Sequence, residues 1–206
     1  MSVSRTADDI KVNIEVPYLS QTNNKYEPYS ACNITCTAMC LKKFGIAGDG
    51  SEAQLEDQLY NKALVTGWNR FSPQGIKSLI ESYGLTDRLN INAGTHDIYK
   101  SLDEGRPVII HGFFTDPGHI IVIKGHTEKG HFVVHDPYGD LIANGWYYDI
   151  NNSTEPHRGE NLIYSKWLIG AACGSWSSGE AKVWYQTINH SELMAIENMW
   201  IHSVGL

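Results

Sequence analysis

A chain of 206 residues, 42% hydrophobic and 19% charged, has the size and composition of one globular domain, and we expect a single domain over residues 1–206. A formal net charge of −7 without a basic cluster excludes a nucleic-acid partner and an anionic-membrane binder. No apolar run reaches membrane-spanning length, and Met1 to Asp9 lack the apolar stretch of a secretory signal. The expectation is therefore a monomer without an integral membrane segment, cytoplasmic when made, reaching any cell-wall target through a separate pore. Asn33-Ile34-Thr35 and Asn152-Ser153-Thr154 match the glycosylation sequon, which means little without that signal.

In chain order, Ile10, Val12, Ile14 and Val16 alternate with polar residues and predict a half-buried strand ended by Pro17. A polar loop leads to Cys32, which opens an apolar segment through Phe44. Lys42-Lys43 in its last turn and Gly45 beyond it are helix-stop chemistry. Ser51-Glu52-Ala53-Gln54 reads as a capping box for a helix burying Leu55, Leu59 and Leu64. Ser72-Pro73 opens another with Ile76, Leu79, Ile80 and Tyr83, and a third is expected from Thr95 to Leu102. Pro107 to Phe113 is a strand. Pro117 to Ile123 and His131 to Pro137, both β-branched and joined by turn residues, form a hairpin. Lys182 to Ile188 alternates like a last strand. Helices first and a mostly antiparallel sheet afterwards predict an α+β fold with a cleft between Cys32 and His119.

If Gly125 faces Gly130 across the turn, the register pairs Ile123 with Phe132, Ile121 with Val134 and His119 with Asp136. Opposed residues have Cβ atoms about 4.5–5.5 Å apart, so the carboxylate would hold Nδ1–H and leave Nε2 free. That pair is a general base with its orienter. The plain alternative is an ordinary Asp-Pro turn beside a strand-end histidine.

Cys32, Cys36 and Cys40 share one helical face, the outer two roughly 12 Å apart, too far for one metal. Cys36 and Cys40 read as small core residues. Cys32 stands at the helix start, where unpaired N–H groups favour the thiolate. His111, His119, His126, His131 and His135, with Asp136 or Asp140, offer zinc as a minority reading. However, His131 and His135 share an outward strand face from which Asp136 points away. Asp136, Asp140 and the carbonyls of Pro137-Tyr138-Gly139 lack an EF-hand's ligand spacing for calcium. No metal or cofactor is expected.

Gln21, Cys32 at a helix start, the Gly105-Arg106-Pro107-Val108-Ile109 strand, Gly118-His119 leading a strand and Asp136-Pro137-Tyr138-Gly139 ending one together form a pattern. It resembles the papain-like cysteine peptidases of the bacteriocin-leader (double-glycine) processing type and their stand-alone phage and bacterial relatives. The resemblance runs from about Val16 to Asp140. It implies a two-lobed papain-like fold with N-terminal helices against the sheet. It also implies Cys32 as nucleophile, His119 as general base, Asp136 as orienter and Gln21 as oxyanion donor beside the Cys32 N–H. This chain has Cys32-Asn33-Ile34 where the family has Cys-Gly-Pro, and Gln21 lies further from the cysteine than in the family, so Asn33 is the alternative donor.

Amide cleavage needs those parts in any case: a thiolate, an imidazole to generate it and protonate the leaving amine, and a group fixing the imidazole. The expected function is a thiol peptidase on a peptide substrate, in one form an endolysin cutting peptide bonds of bacterial peptidoglycan. The alternatives are leader-peptide processing or acyl transfer on the same triad, and an inactive binding relative. Trp146, Tyr147, Tyr148, Trp167, Trp176, Trp184 and Tyr185 either line a sugar-bearing cleft or fill core. The charge of −7 counts against an anionic wall target.

Overall fold

The computed structural model describes residues 10–149 and 157–206; the Asn152 sequon lies outside them. The chain opens with β1 (Ile10–Asn13), a 3-10 turn (Gln21–Asn23), α1 (Cys32–Lys43), α2 (Leu55–Thr66) and α3 (Pro73–Glu81). Then come β2 (Thr86–Ala93), α4 (Thr95–Asp103), β3 (Val108–Gly112), β4 (His119–Thr127) and β5 (Phe132–His135). After them lie β6 (Leu141–Ile142), β7 (Tyr147–Tyr148), β8 (Leu162–Tyr164), α5 (Lys166–Gly174), α6 (Ser178–Thr187), α7 (His190–Met194) and β9 (Met199–Gly205). This is the expected α+β architecture. The main sheet has the order β2-β9-β3-β4-β5-β8, with β1 paired to β4, and every pairing is antiparallel; β6 and β7 form a separate ribbon. No helix among the described residues is long and apolar enough to cross a membrane.

Alternating side chains of the sheet feed two cores. Ile109, Ile120, Val122 and Val204 face α1, α2 and α3, while Val108, Ile110, Ile121, Ile123, Val134 and Ile201 face α4 and α5. α1 is buried on all sides from Asn33 to Leu41. Its polar groups are satisfied locally: Thr37 Oγ1 donates to Asn33 O (2.8 Å), and Asn24 Nδ2 donates to Thr35 Oγ1 (3.0 Å). The Cys36 thiol donates to Ile120 O (3.2 Å), tying α1 to β4. Cys36 and Cys40 are wholly buried, as expected of core thiols.

Several sequence expectations change. The β4–β5 register is displaced by two residues, with Ile123 opposite Val134 and Val122 opposite His135, because β4 runs on to Thr127 and carries a bulge between Ile123 and Gly125. Up to the bulge the slip is two, which preserves the face of each side chain there, so His119 and Asp136 still share one. Ser51 to Gln54 are bends, and the Gln54 side chain caps none of the α2 N–H groups; Leu64 is 71% exposed, outside the core. Lys182 to Ile188 is not a strand but most of α6, capped by Ser177 Oγ accepting from Glu180 N (3.1 Å), with only Ala181 buried. β9 takes the inner place in the sheet instead. Its inward polar residues are matched only once the chain is folded: His202 Nδ1 lies 2.5 Å from Asp87 Oδ2, and Arg106 Nε donates to Ser203 Oγ (3.2 Å).

Candidate active site

Cys32 opens α1 and is partly accessible from a cleft that Gln21, Tyr29, Asn33, Phe71, His111, His119 and Tyr138 also line. At a helix start the N–H groups have no intrahelical partners. The Asn33 N–H and the Ile120 N–H point to the Cys32 sulfur. Arg70 fixes the residues on either side: Nη2 donates to Ser30 Oγ (3.0 Å) and Nη1 to Asn33 Oδ1 (2.9 Å). That Asn33 oxygen also accepts from Ile34 N (2.8 Å), so the alternative oxyanion donor has its carbonyl end engaged.

His119 begins β4 behind a tight turn. Gly118 N–H donates to Thr115 O (3.0 Å) and Thr115 Oγ1 to Gly118 O (2.9 Å), with Gly118 at φ +84°. A Cβ on Gly118 would lie 2.3 Å from His111 Nε2, and the His111 ring is held by stacking on Trp200 (centroids 5.0 Å apart, 9° between planes). Gly118→Ala is therefore expected to cost about 1–3 kcal/mol and to displace His119. Chemical denaturation should show the loss, and kcat should fall more than tenfold by roughly that misplacement.

The imidazole lies between the thiol and the carboxylate. His119 Nε2 donates to Asp136 Oδ1 at 2.8 Å, and the Cys32 thiol hydrogen-bonds the same ring. The nitrogens are thus used the opposite way from the directly opposed register: Nε2 takes the carboxylate and Nδ1 is left for sulfur. Asp136 is wholly buried and saturated with donors. Besides His119, Oδ1 accepts from Tyr138 N (3.0 Å), while Oδ2 accepts from Tyr148 OH (2.7 Å) and Tyr164 OH (3.0 Å).

Burial alone would raise the Cys32 pKa, but the hydrogen bond and charge of His119 outweigh it, and the thiol is lowered from its ordinary value. Burial likewise opposes charge on His119, yet Asp136 and then Cys32 raise its pKa from 6.5 to about 10. Both shifts favour the thiolate–imidazolium form of the pair. The kcat/KM profile is therefore expected to rise as Cys32 ionises and to fall near pH 10 as His119 deprotonates. Folding stability has the same sign: the contribution of His119 is complete below about 6.5 and is lost as pH rises through about 10. Urea unfolding across that range would measure it.

Gln21 is buried at the cleft. Its Nε2 donates to Pro28 O (2.8 Å), its backbone N–H to Pro137 O (2.9 Å), and its Oε1 has no partner among the described residues. The structure brings Gln21, Cys32, His111 and His119 to one cleft with Asp136 behind, while His126, His131 and His135 lie elsewhere. Among the described residues no cluster of three His, Cys, Asp or Glu could hold a metal. His135 is not outward-facing: it is buried, with Nε2 donating to Val16 O (2.9 Å) and Nδ1 accepting from Asn161 N (3.1 Å). Burial holds its pKa near 4. The aromatics after Asp140 do not line the cleft. Trp146 Nε1 donates to Phe113 O (3.0 Å), Trp167 stacks on His190, and the aromatic cleft residues are Tyr29, Phe71, His111 and Tyr138. Sequence reasoning missed Arg70, Tyr148 and Tyr164. Only Tyr138, inside the Asp136-Pro137-Tyr138-Gly139 run, lay in a recognisable motif.

The model of the Peptidase_C39 like family matches residues 13–157, more than half of the chain and the stretch that contains the cleft. This chain belongs to the Peptidase_C39-like family. Membership makes it a cysteine peptidase. No curated protein matches it. Among solved structures it is similar to a double glycine motif protease from an AMS/PCAT transporter, crystallised in complex with the leader peptide. That likeness has 20% identity and a TM-score of 0.43, covering 62% of this chain and 77% of that one. It is also similar to the Pseudomonas avirulence protein AvrPphB, at 13% identity and a TM-score of 0.32, covering 94% of this chain and 98% of that one.

Proposed function

We propose that this Peptidase_C39-like chain cleaves peptide bonds with Cys32 as nucleophile, His119 as general acid and base, and Asp136 as orienter. The observation that carries the reading is the His119 ring, hydrogen-bonded to a lowered thiol on one side and to a buried carboxylate on the other. The thiolate adds to the substrate carbonyl, forming the C–S bond and an oxyanion. His119 Nδ1–H protonates the leaving amine as the C–N bond breaks. Water, deprotonated by the same nitrogen, then hydrolyses the thioester. The Cys32 N–H and the second N–H of Gln21 Nε2, the first being on Pro28 O, are suited to receive the oxyanion. Gln21→Ala should lower kcat about tenfold to a thousandfold with little change in KM, as steady-state kinetics would show.

Among substrates we favour a peptide cross-link or stem of bacterial peptidoglycan. Apart from the Cys32–His119 pair the cleft lining carries no charged side chain, and Tyr29 and Phe71 stand exposed at its mouth, at 82% and 62%. Flat aromatic faces beside neutral walls suit sugar-bearing peptides better than charged ones. The purified protein is to be incubated with peptidoglycan sacculi and, separately, with double-glycine leader peptides, and the products identified by mass spectrometry. Release of stem peptides that stops on alkylation of Cys32 is the expected result. Intact sacculi beside a cut leader peptide would replace the lytic reading with leader processing.

A further inference from the structure

The carboxylate behind the imidazole is held by residues that the Cys-His-Asp chemistry does not itself require. Tyr148, on the β6–β7 ribbon, and Tyr164, on β8, approach Asp136 Oδ2 from different elements, at 2.7 Å and 3.0 Å. Both phenols are buried, and Tyr164 OH additionally accepts the Leu141 N–H (3.0 Å), so its own proton is directed to the carboxylate. Tyr148 also sets the edge of its ring against His119, with centroids 5.7 Å apart at 76°. Tyr18 OH donates to the Asp136 main-chain oxygen (3.2 Å), fixing the backbone as well.

We propose that Tyr148 and Tyr164 are positioning residues of the peptidase site, clamping Asp136 Oδ2 so that Oδ1 alone faces His119 Nε2; this assignment rests on the triad reading above. Two phenol donors share out the carboxylate's charge and prevent it from turning. Without them the carboxylate carries more charge toward the ring and holds the imidazolium more tightly. A tighter imidazolium is a poorer acid for the leaving amine, so turnover falls while substrate contacts are untouched. The other titratable groups facing this pair are Cys32 and Cys36 from α1, His111 from β3, Tyr18 from the loop after β1 and Tyr138 from the turn after β5, with Asp140 acting on Tyr164. None of them changes in the variants below.

The test uses Tyr148→Phe and Tyr164→Phe in the full chain, with kcat, KM and the pH profile measured on a cleaved peptide. Each is expected to lower kcat about tenfold, leave KM unchanged and move the alkaline limb above its parental position near pH 10. Among the described residues the Tyr148 hydroxyl makes only the bond to Asp136, so Tyr148→Phe carries the test if Tyr164→Phe loses the fold. A lowered melting temperature with unchanged kcat and pH profile would overturn the assignment and leave the phenols merely structural. Titration of the Cys32 thiolate absorbance needs no substrate and is expected to show ionisation at lower pH in both variants. It therefore separates the clamp from the peptidase reading, which fails if the parent has no activity that Cys32→Ala removes. An unmoved thiolate titration in a folded Tyr148→Phe protein would also overturn the clamp.

Discussion

Cys32→Ala is expected to abolish peptide cleavage, lowering kcat by about 10⁴- to 10⁶-fold, while the protein stays folded. The loss is total in practice because no other thiol lines the cleft, and its hydroxyls on Ser30, where Oγ accepts from Arg70, and on Thr115, where Oγ1 donates to Gly118 O, are engaged elsewhere. The fold survives because Cys32 lies at the accessible end of α1 and only packs against the margin of the core beneath that helix. A change of about 1 kcal/mol or less is expected for so small a truncation at a partly exposed site. The comparison variant is Cys36→Ala. That thiol is wholly buried, donates to Ile120 O and is raised well above its ordinary pKa by burial, so it stays protonated. Its removal should lower the melting temperature and spare activity. Measuring both proteins by circular dichroism and by cleavage of one peptide decides the matter. A folded Cys36→Ala protein that had lost activity would reverse the assignment of the nucleophile.

The second large effect separates base from orienter. His119→Ala is expected to cost nearly as much as loss of the thiol, because the group that forms the thiolate and protonates the amine is gone. Asp136→Asn should be milder, at about 10²- to 10⁴-fold in kcat, since the amide oxygen still accepts from Nε2–H. Its rate should also fall away at lower pH, because the neutral amide no longer holds the His119 proton to about 10. The substitution has a structural cost as well. Its NH2 group would meet the hydroxyls of Tyr148 and Tyr164, and the Tyr164 oxygen already accepts from Leu141 N, so buried donors face one another. A stability loss of about 1–3 kcal/mol is expected, readable in urea titrations. Equal kinetic losses in the two variants would show that Asp136 does more than orient the ring.

The sequence by itself determined the parts whose signals are local. α1 was legible because Lys42-Lys43 and Gly45 close an apolar run, and α3 because Ser72-Pro73 is a cap followed by a fixed first turn. Cys32 at a helix start, Gly118-His119 at a strand start and Asp136-Pro137 at a strand end were legible for the same reason. Strand alternation also put His119 and Asp136 on one face, and a two-residue error in register could not undo that. The tertiary structure decided whatever depends on which remote groups meet. His202 and Ser203 read as polar and concealed β9, whose burial draws on Asp87 beside His202 Nδ1 and on Arg106 beside Ser203 Oγ. The alternating apolar residues of α6 resembled a strand because periodicity over so short a run cannot separate the two, and the Ser177 cap prevailed. The bulge between Ile123 and Gly125 set the register of β4 against β5, and no local pattern encodes a bulge. Tyr148 and Tyr164 reach Asp136 from elements 12 and 28 positions downstream. A tyrosine's hydrogen-bond partner is fixed by where its strand lies, and that position exists only in the folded chain.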